Sequence, residues 1–148
     1  MRRTQLISTT WAEGRVFDLW MIVHFLSGLA GGFSNVLFGL STRGVYVLGV
    51  SMLLIWEAIE HMRQVRESWE NRVLDILVGV AGISVALWCA PRLSRLAAFG
   101  AFGLSTVAVL TGSYLGWLAF RARKRRAAGD RASARAASAT TGPGSATP

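Results

Sequence analysis

Four ionisable side chains stand inside or at the edge of long apolar runs: His24 in the first run, Glu57 and Glu60 at the end of the second, and Asp75 at the start of the third. On insertion scales such a group costs on the order of 2.5–3.5 kcal/mol within a membrane span, so each calls for a partner or a purpose. Glu60 or Asp75 has the chemistry of a general base, and His24 that of a second proton carrier or an orienting group. The same residue types also ligate divalent metals, and a set rich in carboxylates suits Mg or Mn better than zinc. Metal and cofactor stay unassigned at this level.

Spacing gathers these residues into faces. His24, Ser27, Gly28, Gly31 and Asn35 recur at intervals of three and four, as do Glu57, Glu60, His61 and Gln64, and again Asp75, Gly79 and Gly82. On helices each set makes one stripe. Three helices thus each offer a polar, small-residue face, and the expected result is a small cavity lined by His24, Glu57, Glu60 and Asp75. The glycines let the backbones close in behind it. Each residue also has a structural reading: His24 as a helix-to-helix hydrogen bonder, Glu57 beside Trp56 as a membrane-interface residue, His61 as a solvated headgroup residue.

The elements that must carry these faces follow from composition. Of 148 residues, 52% are hydrophobic and 16% charged, with a mean hydropathy of +0.41. That balance excludes a soluble domain and predicts an all-α integral membrane protein. The expected spans are about 17–40, 45–62, 73–90 and 96–120, arranged as two antiparallel hairpins after a cytoplasmic N-terminal segment, 1–16. The Ser41–Gly44 break separates the first pair and Pro91 the second. From Arg121 a basic run gives way to Ala, Gly, Ser, Thr and Pro, so 121–148 is expected to be a disordered tail.

The net charge of +8 would suggest nucleic acid in a soluble chain. Here the basic residues sit at span ends and record topology instead. Arg2, Arg3 and Arg15 precede the first span, Arg63, Arg66 and Arg72 fill the middle loop, and Arg121 to Arg135 load the tail, against Arg43, Arg92 and Arg95 on the other side. Both termini are therefore expected to be on the cytoplasmic side of the membrane. The one cysteine, Cys89, lies in an apolar stretch and reads as a packed small residue.

Glu60 to Gly82, taken with His24, resembles the VanZ-like family of small bacterial membrane proteins. In that pattern a His, often preceded by an acidic residue, lies in an early span; a Glu closes a later span, and an Asp opens the next, with a Gly-containing helix behind it. The matching residues are Asp18 and His24, Glu60 (or Glu57), and Asp75-Ile76-Leu77-Val78-Gly79 with Gly82. The family's Gln one turn after its Glu meets Arg63 or Gln64, and the Asn expected four residues after the Asp is Gly79. The resemblance implies a place in the cell envelope, where members similar to the founding protein are linked to tolerance of glycopeptide antibiotics.

Two function classes stand side by side. In one, the cluster acts on a lipid or lipid-linked headgroup. In the other, the chain is a non-catalytic scaffold or accessory subunit whose polar residues set helix register and whose glycines dock another membrane protein or a second copy. No Ser-His-Asp order, phosphate-cradling glycine loop or His-Glu-x-x-His run decides for an enzyme. The lipid bilayer is the one partner common to both readings.

Overall fold

The computed structural model describes residues 18–62 and 68–140. Its elements are α1 (Leu19–Phe38), α2 (Thr42–Met62), α3 (Trp69–Cys89), a short 3-10 turn (Ala90–Arg92) and α4 (Arg95–Thr140). No strand occurs among the described residues. All four helices are long and apolar enough to cross a membrane. At about 1.5 Å per residue, α1, α2 and α3 each measure roughly 30 Å, the thickness of a hydrocarbon core.

Local chemistry sets the helix ends. Asp18 caps α1 from an extended conformation, its carboxylate accepting from the backbone N–H of Trp20 at 2.9 Å and of Met21 at 3.3 Å. At the other end Gly39 takes the left-handed conformation, φ 62°, and returns its N–H to the Asn35 carbonyl. Ser41, Ser68 and Ser94 each accept a backbone N–H three residues on, starting α2, α3 and α4. Pro91 sits in the 3-10 turn, where its missing N–H costs nothing.

α1 is the centre of the bundle. It packs most extensively on α3, then on α4 and α2, and α2 also meets α3. Paired positions rise together along α1 and α3: Gly28 lies against Gly79 and Ile83, and Gly32 against Ile83 and Ala86. The two helices therefore run parallel. α2 runs opposite to both, because its start meets the later part of α3 through Tyr46 Oη and Ser84 Oγ, 2.9 Å apart, while its end meets the starts of α1 and α3 at the polar cluster.

Three sequence-based expectations shift here. The third and fourth spans pair in chain order but not in packing: α3 and α4 hardly touch, and α4 lies on α1 instead. Spans 1 to 3 begin or end within a few residues of their expected bounds. The fourth helix runs on past Phe120 to Thr140, where a disordered tail was expected. Ala and Arg dominate this segment, and both are strong helix formers, so it continues helical although 121–135 is exposed throughout. The N-terminal segment 1–16, the middle-loop residues Arg63, Gln64 and Arg66, and the tail's last part, 141–148, lie outside the described residues.

Candidate functional site

The cluster forms at the end of the bundle where α1 and α3 begin and α2 finishes. His24 is 3% exposed, Glu57 8% and Asp75 0%. His24 Nε2 stands 3.4 Å from Glu57 Oε1, and His24 Nδ1 stands 3.8 Å from Asp75 Oδ1. One ligand atom from each of the three residues lies within 4.8 Å of the others.

Each side chain is held by the element that carries it. His24 Nδ1 is 2.9 Å from the Trp20 carbonyl, one turn earlier on α1. A carbonyl only accepts, so the ring donates from Nδ1. Asn71, one turn before Asp75 on α3, donates from Nδ2 to Asp75 Oδ2 at 3.1 Å and is itself fully buried. Glu57 differs: neither of its carboxylate oxygens has a hydrogen-bond partner among the described residues. It reaches the cluster from α2, with its Oε1 facing His24 Nε2.

Close approach of α1 and α3 makes the meeting possible. A Cβ built at Gly28 would run into the Gly79 carbonyl oxygen, and one at Gly82 into the Phe25 carbonyl oxygen. These glycines lie one to two turns beyond His24 and Asp75, so they set how near the two polar residues come.

Of the four residues expected to line the site, the structure gathers His24, Glu57 and Asp75. Glu60 is set apart. It is half-buried, with its Oε1 accepting from Trp56 Nε1 at 2.8 Å, and His61 is exposed. Of the two glutamates that close α2, Glu57 is thus the one brought to His24. Asn71 lies outside the stripes read from the sequence: its backbone N–H bonds the Ser68 hydroxyl, and its side chain serves Asp75. The signal was available, since Asn71 precedes Asp75 by four residues, one helical turn.

An apolar cavity of about 410 Å³ opens beside the cluster. Its walls come from α1, α2 and α4, with Ile83 from α3; Leu48, Met52, Val109 and Leu110 are among the apolar groups, and His24 and Trp56 lie toward one end. Gly31 lines it, and nothing lies within 4 Å of a Cβ built there. The side of α1 that faces α3 is thus packed to backbone contact, whereas the side facing α2 and α4 encloses space. Buried acid–base groups beside an apolar cavity are suited to an amphiphile whose polar head meets His24 and whose chain lies between α2 and α4.

Compared with protein-family models, curated proteins and solved structures, the chain matches none.

Proposed function

We propose that this chain is a VanZ-like protein of the bacterial inner membrane, with both termini cytoplasmic, that acts on a lipid or lipid-linked headgroup. One observation carries the reading: His24, paired with the buried Glu57 and Asp75, lines a mostly apolar cavity of about 410 Å³, although Glu57, Glu60 and Asp75, expected to line it, do not. Glu57 is the group placed to take a proton, since its oxygens carry no hydrogen bond from the described residues. His24, tethered to the Trp20 carbonyl, is placed to relay that proton. Asp75, oriented by Asn71, holds the imidazole's other side. The distribution of Arg around the spans supports the orientation, which puts the cluster in the cytoplasmic half of the bilayer.

In the alternative accessory reading a partner would dock elsewhere than at Gly28, Gly79 and Gly82, which are spent on the contact between α1 and α3.

The test is complementation of a deletion strain under envelope stress, glycopeptides included, with membrane levels checked by blot. Glu57→Gln and the cavity-filling Thr106→Trp are expected to insert normally and fail to complement, while Glu60→Gln complements. Full complementation by Glu57→Gln would overturn the reading and leave an accessory role, in which the cluster fixes helix register.

A further inference from the structure

We infer that His24, Glu57 and Asp75 bind one divalent transition-metal ion, of the Mn²⁺ or Zn²⁺ class. The inference concerns the same cluster as the headgroup reading but stands on ligand geometry alone, so binding and activity can be separated by experiment.

The tautomer of His24 is the first reason. With Nδ1–H given to the Trp20 carbonyl, a neutral ring turns the Nε2 lone pair toward Glu57 Oε1, 3.4 Å away. Two acceptors facing each other in a buried site need a cation between them, either a proton or a metal. The spacing suits the metal. Donors on one ion, with bonds of about 2.0–2.2 Å, stand roughly 3–4.4 Å apart. The Nε2–Oε1 pair already lies in that range, and one ligand atom from each of the three residues lies within 4.8 Å of the others; Asp75 Oδ1, which stands 3.8 Å from Nδ1, completes the set by turning toward the Nε2 edge of the ring.

The surrounding hydrogen bonds are the second reason. A metal-bound His characteristically donates its other ring N–H to a carbonyl or carboxylate, which fixes ring and tautomer; the Trp20 carbonyl does this for His24. A ligating carboxylate is likewise steadied by a hydrogen bond, which Asn71 supplies to Asp75 Oδ2, with Oδ1 on the side of His24. Glu57, 8% exposed, supplies the third ligand. One imidazole and two carboxylates suit the N/O preference of Mn²⁺ and Zn²⁺ better than the all-oxygen preference of Mg²⁺. Three protein ligands leave coordination positions open for water or a headgroup oxygen.

The test uses the full chain, purified in detergent, stripped with chelator and titrated with Mn²⁺ while free Mn²⁺ is followed by electron paramagnetic resonance. One ion per chain is expected, with ¹⁴N modulation in the spin echo from the His24 ring, and Zn²⁺ should displace it. Glu57→Gln should weaken binding at least about 100-fold, and Asn71→Ala, which acts through Asp75, about 10- to 100-fold. Glu60→Gln should bind as the wild type does. Circular dichroism and gel filtration confirm that each variant is folded. Absence of binding at millimolar Mn²⁺ and Zn²⁺ in the folded wild type would overturn the site and leave a proton shared by His24 and Glu57. Binding that survives Glu57→Gln unchanged, or that shows no ¹⁴N modulation, would overturn it as well. Metal binding without loss of complementation in Glu57→Gln would refute the headgroup reading alone.

Discussion

Replacing Gly28 by Ala sets the α1–α3 contact against a control on the same helix. The added methyl would overlap the Gly79 carbonyl oxygen and stand 2.9 Å from the Gly79 carbonyl carbon and 3.0 Å from the Ile83 nitrogen, where ordinary contact begins at 3.4 Å. All three are backbone atoms, so no side chain can turn away. The helices must part by about an ångström, because close-packed interiors hold no slack to absorb the overlap. Overpacking of this kind costs about 1–3 kcal/mol, roughly 5- to 150-fold in the folding equilibrium. Gly31→Ala is the control: one turn away on α1, its new methyl would point into open space. Alanine is the better helix former by up to about 1 kcal/mol, so Gly31→Ala should be neutral or mildly stabilising. Unfolding by sodium dodecyl sulfate in mixed micelles, followed by tryptophan fluorescence, measures both. Equal stability of the two variants, or a Gly28→Ala protein as stable as wild type, would refute the claim that the parallel α1–α3 pair is set by backbone contact.

Three further outcomes are expected. Asp18→Ala removes the acceptor for two α1 N–H groups and should lower stability by about 0.5–2 kcal/mol in the same unfolding assay, with Asp18→Ser recovering most of it. Tyr46→Phe deletes the hydrogen bond to Ser84 at the opposite end from the cluster; bonds of this type inside membranes average about 0.6 kcal/mol, so a small loss with complementation intact is expected. Spin labels at Ala119→Cys and Ala134→Cys, in a Cys89→Ala background, should lie about 22 Å apart along a continuous helix. A broad distribution of distances in double electron–electron resonance would contradict helix beyond Phe120.

Hydropathy made the four helices legible, because spans of about 20 apolar residues leave few alternatives. Which residues turn inward was only partly legible. Glu57 and Glu60 differ by three residues, an offset of roughly 60° around a helix, and a face of ordinary width covers both. Packing decides between them: α2 presents Glu57 to His24, and Glu60 turns to Trp56. Gly28 and Gly31 share one stripe in the sequence for the same reason, and both line the cavity, yet only Gly28 also touches α3. The α4 extension was misjudged because a segment without large apolar residues lacks a core but not helix propensity. Arg- and Ala-rich chain meets the second condition without the first.

The two uses of glycine on α1 also explain why the polar cluster and the apolar cavity adjoin. Where Gly28 and Gly32 meet Gly79, Ile83 and Ala86, backbone replaces side chain at the interface, and α1 and α3 come close enough for His24 to approach Asp75. Having spent that face on α3, α1 meets α2 and α4 with Ser27, Ala30, Gly31 and Ser34, groups too small to fill the angle between them. α2 and α4 do not close it themselves, since they hardly touch each other. Space is therefore left beside that contact, with Gly28 and Ile83 in its lining, and His24 borders both regions. A large side chain at Gly31 should fill the cavity while leaving the cluster assembled, whereas one at Gly28, which meets the α3 backbone as well as lining the cavity, should separate the cluster. If Gly31→Leu abolished metal binding as fully as Gly28→Leu, cluster and cavity would not be the separable consequences of helix packing argued here.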